Sequence, residues 1–267
     1  WSAGGGPDSA CGWTRDAGAG GEIGVALGPG ESRRLRFLLV SHPLAGRELA
    51  ACARISHAQR ARRVADYWNA EVVKGTRFEL GDPEVENALR AARVVVLACR
   101  ARWAGWWFPL GGPFQYRDVW LRDGARLVQA LAITGRTLEA RQLAEGFATL
   151  QWPQGAFLTQ WGQLDGTGQA LWAFEQAELR PAPDSTAARF AQYALDAVDW
   201  VERQRDYGKR AGGPYAGMLP FADPRDAELV RAQLPGNDAW ALAGYRAAAR
   251  LCGAAGMRDD SARVEAL

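Results

Sequence analysis

The sequence predicts an all-α fold, an α/α toroid of helical hairpins that is incomplete in this chain and is preceded by the remnant of a β-sandwich. Three observations carry the prediction. From residue 82 onward, apolar residues recur at helical spacing in successive segments. The connections between those segments alternate short and long. The long ones all fall on one rim, where such a ring would keep its pocket; an irregular helical bundle is the other arrangement that the pattern allows.

Taken in order, the chain opens on Trp1 and a glycine-rich stretch without a sustained period, so no leader peptide is legible. A strand is expected at 33–40, with Leu35, Phe37 and Leu39 on one face and Leu38 and Val40 on the other, after the turn residues Gly28-Pro29-Gly30. Weaker strand signals lie at 22–27, and together they make residues 1–45 the tail of a β-sandwich. A polar helical connection at 46–74 places a linker helix region at 46–81. The half-ring then occupies 82–267. Asp82-Pro83-Glu84 supplies an N-cap, a proline at the first helical position and an acid in the first turn. Val85, Leu89, Ala92, Val96 and Cys99 then follow at helical spacing.

Further helices are expected at 121–134, 138–150, 164–179, 185–205 and 238–255. Gly135, a tryptophan-rich loop at 151–162, Pro181-Ala182-Pro183 and a long loop at 207–237 separate them. Loops longer than about 12–15 residues inside a compact domain are usually functional or disordered. A last helical pattern at 259–267 stops without a cap. The hairpins from Asp82 onward would fill half of a six-hairpin ring, so the sequence is expected to be a fragment, with the remainder of its polypeptide packing against the C-terminal end.

Composition narrows the function. With 48% hydrophobic and 23% charged residues, disorder is excluded. The 32 basic and 30 acidic side chains leave a net charge of +2 spread along the chain, so no nucleic-acid partner is expected. The best apolar run, 94–99, is closed by Arg93 and Arg100, well short of the roughly 18–20 residues that cross a bilayer, so no membrane partner is expected. Cys11, Cys52, Cys99 and Cys252 form no paired motif, and His42 and His57 stand far from the acidic and aromatic clusters. Neither a metal nor a cofactor is therefore expected, and Ser-His-Asp chemistry is disfavoured. The outlier is twelve tryptophans. They serve either as core or as flat platforms for the C–H face of a sugar ring.

Two segments carry the candidate chemistry. In the first, Tyr116, Trp120, Arg122 and Asp123 enter a helix. A guanidinium beside a carboxylate can pin adjacent sugar hydroxyls, one donating in a fixed fork and the other accepting; a local ion pair in a first helical turn is the alternative. In the second, Gln151-Trp152 is followed by Gln160-Trp161-Gly162-Gln163-Leu164-Asp165-Gly166, which again sets a tryptophan and an acid, Trp161 and Asp165, at a helix mouth. Both segments lie on the long-loop side of successive hairpins.

At these residues the sequence resembles the glucoamylase family and its relatives with (α/α)6 barrels. The family's Tyr-x-x-Trp-x-Arg-Asp stretch is met by Tyr116, Trp120, Arg122 and Asp123 with one residue's difference in spacing, and its Trp-Gly-x-x-x-Asp-Gly stretch by 161–166, one residue shorter. The resemblance covers about residues 82–256. It implies that Arg122 and Asp123 bind the non-reducing-end sugar and that Trp161 lines its pocket.

The family's general acid, a Glu in a Trp-Glu-Glu stretch, has no counterpart here. The corresponding segment, 212–223, resembles the Gly-Leu-Leu-Pro type of loop of other bacterial relatives, which makes Asp223 the candidate acid, with Asp226 and Glu228 behind it; plain loop carboxylates are the alternative. As an acid, Asp223 would need apolar surroundings such as Tyr215, Leu219 and Phe221 to keep its proton. An inverting glycosidase sets two carboxyl groups about 6.5–9.5 Å apart, and in this fold the second comes from the last hairpins. The expected function is glycoside hydrolysis, inverting, at the end of a glucose-containing oligo- or polysaccharide. A non-catalytic carbohydrate-binding relative is the alternative, while a terpenoid-cyclase-like toroid is disfavoured by the lack of an Asp-Asp-x-x-Asp cluster.

Overall fold

The computed structural model describes residues 11–12, 22–35, 44–178, 187–223 and 230–267. They are mostly helical, with nine helices and four short strands. Two compact units divide the chain, Trp1–Asp66 and Tyr67–Leu267.

In the first unit, β1 (Cys11–Gly12) pairs antiparallel with β2 (Glu22–Ile23). Of the strand expected at 33–40, residues 33–35 carry no strand and the rest lie outside the described residues. The polar connection at 46–74 is two helices, α1 (Gly46–Arg54) and α2 (His57–Val72). Ser56 and Gln59 close the break between them reciprocally: each side-chain oxygen accepts the other residue's backbone N–H, at 3.2 and 2.9 Å.

The second unit takes in the end of α2, from Tyr67 on, and then α3 (Pro83–Ala98), capped as its sequence requires: the Asp82 carboxylate accepts the N–H groups of Glu84 and Val85 at 2.9 and 3.2 Å. A β-hairpin follows that the sequence reading left out, β3 (Arg100–Trp103) paired with β4 (Trp106–Pro109). Its two-residue turn puts Ala104 at φ 49° and Gly105 at φ 87°, the left-handed pair that matches the twist of a tight hairpin.

Six helices complete the unit: α4 (Leu121–Ile133), α5 (Thr137–Ala148), α6 (Gly166–Ala177), α7 (Ala187–Ala211), α8 (Pro235–Ala254) and α9 (Arg258–Glu265). The expected helices are present, but the 207–237 loop is shorter than expected. Helix α7 runs on to Ala211, and α8 starts three residues early at Pro235, where a proline's missing N–H removes no intrahelical bond. The connection between them spans 212–234, of which 224–229 lie outside the described residues, as does the Pro181-Ala182-Pro183 connection.

Packing follows chain order. Helix α4 lies on α6 and α6 on α8, while α5 packs on both α4 and α6, and α7 and α9 pack on α8. Glycines allow the close approaches. A Cβ at Gly168 would overlap the Trp240 backbone carbonyl, and one at Gly166 would lie 2.8 Å from a Leu121 methyl carbon. Between the layers, Phe174 stacks on Phe190 with centroids 4.8 Å apart and meets Phe157 edge-on at 5.6 Å. Each fully buried phenylalanine contributes about 1.5–3 kcal/mol. Arg136, 2% exposed at the head of α5, pairs with Glu71 at 2.6 Å and with Glu139, which ties the end of α2 to the α4–α5 corner.

Candidate functional site

The site is built where α4 and α6 begin. Trp120 occupies the N-cap position of α4 in extended conformation, and its indole Nε1 is buried without a hydrogen-bond partner. Arg122 and Asp123 follow in the first turn, both exposed. The Arg122 guanidinium does not close a local pair with Asp123. It reaches across to α6, where its Nη1 lies 4.0 Å from Oδ2 of Asp165, the residue at the N-cap position of that helix. The same Oδ2 accepts the buried Gln169 amide at 2.6 Å. Side-chain exposure is 47% for Arg122 and 13% for Asp165, so the guanidinium is open to solvent and the carboxylate is held.

Asp123 stands beside the 111–116 loop, where a Cβ on Gly111 would lie 3.3 Å from its Oδ2 and 3.4 Å from the Tyr116 Cβ. Tyr116 has φ 50°, uncommon for a side chain of its size, and its ring is exposed. Trp161 is 70% exposed, four residues before Asp165. The loops that lead into the two helices also meet, since Gln160 Nε2 donates to the Val119 carbonyl at 3.5 Å.

One turn further along α4, Arg126 lies 4.8 Å from the ring centroid of Trp172 on α6 and 5.7 Å from that of Trp240 on α8, and the two indoles meet edge to face at 6.0 Å. This cluster was missed from the sequence. Its only linear signal is that Arg126 follows Arg122 by four residues, on one helical face.

Asp223 is differently placed from the sequence expectation. It follows Ala222, which bridges to Ala232, and its Oδ2 lies 3.4 Å from the Arg231 Nε with 44% of the side chain exposed. Among the described residues no apolar wall surrounds it: Tyr215 and Phe221 are exposed, while Leu219 is buried in the core. The reason is the anchoring of the loop to α8. Leu219 donates its N–H to Asp238 Oδ1 at 2.9 Å and accepts the Gln233 amide at 3.2 Å, which turns Leu219 inward and its aromatic neighbours outward. Asp226 and Glu228 lie outside the described residues.

Among the described residues, no group of three His, Cys, Asp or Glu side chains could hold a metal ion, and no helix is long and apolar enough to cross a membrane. No family model, curated protein or solved structure matches the chain.

Proposed function

We propose that the chain handles carbohydrate, as part of an inverting glycoside hydrolase of the (α/α)6 toroid type that acts on the end of a glucose-containing oligo- or polysaccharide. The observation that carries this reading is the Arg122–Asp165 pair at 4.0 Å, joining the mouths of two helices beside the exposed Trp161. A fork of donors and a fixed acceptor suit vicinal hydroxyls, and a solvent-facing indole suits a sugar's C–H face. Arg122 donates, Asp165 and Asp123 accept, and Trp161 and Tyr116 bound the ring, with Trp120 behind them. The ring reading is supported by the succession of contacts α4–α6–α8, with α5 packed on α4 and α6 and with α7 and α9 packed on α8.

Asp223, Asp226 and Glu228 are the candidate acids in this reading. The Asp223–Arg231 pair favours a second reading, a non-catalytic carbohydrate-binding relative, because a general acid has to deliver a proton and this carboxylate is engaged with a guanidinium.

Isothermal titration of the full chain with maltose and longer malto-oligosaccharides, run beside an assay of reducing-end release, separates the cases. Binding with release supports the hydrolase, and binding without release supports the second reading. A chain that binds none of these sugars overturns both.

A further inference from the structure

A cleft of about 340 Å³ lies between α3 and the 72–79 segment that leaves α2. That volume falls within the roughly 300–1,000 Å³ of small-molecule sites. The cleft is remote from the Arg122–Asp165 pair. Thr76, on its wall, donates its N–H to the carbonyl of Thr134 at 2.8 Å, at the end of α4, whereas Arg122 stands in the first turn. At roughly 1.5 Å per residue, the two are about 18 Å apart along the helix.

The walls are fixed by backbone contacts. Arg93 of α3 donates to the carbonyls of Val72, Lys74 and Thr76 at 2.5, 3.1 and 2.7 Å, and its guanidinium lies 5.9 Å from the ring centroid of Phe78. The Glu86 carboxylate accepts the Leu80 N–H at 2.9 Å. Gly75 is left-handed at φ 86°, and a Cβ there would lie 2.5 Å from the Thr134 carbonyl oxygen, so the turn docks closely on α4. A ligand that enters such an opening requires little further ordering of the protein.

The lining joins an apolar surface to one spare cation. Val72, Phe78 and Leu89 supply the apolar part, and Val73 beside them is 75% exposed, so large side chains stand bare around a preformed opening, as they do at binding surfaces. All but one of the charged side chains that line the cleft are engaged: Arg93 with the three carbonyls, Glu86 with Leu80, and Arg77 with Glu79 at 2.8 Å. Arg90, one position beyond Leu89 on α3, is exposed and pairs with no carboxylate among the described residues.

We propose that this cleft binds a small amphiphilic monocarboxylate, with its apolar body against Val72, Phe78 and Leu89 and its carboxylate on Arg90. A guanidinium fork suits a carboxylate and a phosphate alike. Glu79 and Glu86 on the walls decide between them, because they repel a dianion more strongly than a single negative charge. The α3 wall from Glu86 to Arg93 is about 10 Å long at roughly 1.5 Å per residue, the length of a medium-chain acid such as octanoate. This site is a second function of the chain, and it stands or falls apart from the carbohydrate reading.

The test titrates the full chain and its Arg90→Gln and Phe78→Ala variants with octanoate, octanamide and octyl phosphate, each kept below the concentration at which it forms micelles. Arg90 is exposed and Phe78 is 36% exposed, so both variants are expected to keep the fold, which thermal melts verify. The parent is expected to bind octanoate about tenfold more tightly than octanamide or octyl phosphate. Arg90→Gln is expected to lose that preference, with octanamide bound as before, and Phe78→Ala to weaken octanoate and octanamide alike. The parent's preference for octanoate over octanamide tests the role of the anion without any variant. A parent that binds none of the three, or binds octanamide or octyl phosphate as tightly as octanoate, overturns the proposal. So does an Arg90→Gln or a Phe78→Ala variant that binds octanoate as the parent does, since the acid then sits elsewhere.

Discussion

The Arg122 guanidinium lies 4.0 Å from the Asp165 carboxylate, and the same carboxylate oxygen accepts the Gln169 amide at 2.6 Å. The two contacts differ in weight. Arg122 is half exposed, and ion pairs of that kind contribute about 0–1 kcal/mol. Gln169 is 1% exposed, so its amide depends on Asp165 for a partner. The carboxylate is thus held from within its own helix as well as facing Arg122, and the half-exposed guanidinium stays available to a ligand.

Asp165→Ala is expected to destabilise the protein by about 1–3 kcal/mol, because it strands the buried Gln169 amide. Asp165→Asn keeps an acceptor oxygen and is expected to fall within about 1 kcal/mol of the parent. Urea unfolding of both variants checks this, and an alanine variant as stable as the parent would show that the amide finds another partner.

Gly168→Ala is expected to destabilise by at least about 1–3 kcal/mol, since the added methyl would overlap the Trp240 carbonyl and force α6 and α8 apart. Gly236→Ala, two residues into α8 with open space around it, is expected to be neutral or to stabilise by up to about 1 kcal/mol. Thermal melts of the pair separate steric contact from glycine's backbone entropy.

Tyr245 supplies a pH dependence. Its hydroxyl is held well above the usual tyrosine value, first by burial and then by the Glu202 carboxylate to which it donates. The folded state thus keeps a proton that the unfolded chain releases near pH 10. This contribution is complete below that pH and is lost as pH rises beyond it toward the folded value, by up to about 1.4 kcal/mol per pH unit. Unfolding midpoints measured from neutral to strongly alkaline pH should fall less steeply for Tyr245→Phe than for the parent.

Thiol labelling should distinguish the cysteines. Burial pushes the thiols of Cys99 and Cys252 up, the latter with a smaller contribution from Asp260, whereas Cys52 is half-buried. A thiol-specific reagent followed by peptide mass spectrometry is expected to modify Cys52 promptly and the other two only at the rate of unfolding. Prompt labelling of Cys252 would place an opening between α8 and α9.

Helices whose ends carry local chemistry were legible in the sequence. Asp82-Pro83-Glu84 marks the start of α3 because cap, proline and acid all act within one turn. The end of α7 was not legible, because Tyr207 and Gly208 look like loop residues; the glycine is required instead by the Met218 carbonyl that presses against it. The β3–β4 hairpin had a signal in Ala104-Gly105 between Trp103 and Trp106, but the apolar residues around it fit a helix tail equally well. In the candidate site, Arg122, Asp123 and Asp165 stood out as residue types at helix mouths. Their pairing did not, because whether Arg122 turns to Asp123 or to Asp165 is decided by the spacing of α4 and α6, where Gly166 lets Leu121 come close. The surroundings of Asp223 misled for a similar reason: nearness along the chain to Tyr215 and Phe221 says nothing of which way an anchored loop turns them.

The near-complete burial of α6 has a consequence for synthesis. Of its residues Gly166–Ala177, Trp172 alone is not buried, and one of its covers is α8. At about 5–20 residues per second, the roughly 80 residues between the end of α6 and the end of α8 take about 4 to 15 seconds to appear. Through that interval, a helix that carries Leu171, Trp172 and Phe174 waits on the ribosome with one side bare. Gly168, which later lets α8 settle against it, carries no side chain to shield that side, so the nascent chain is most open to aggregation, and to chaperone capture, between the completion of α6 and that of α8.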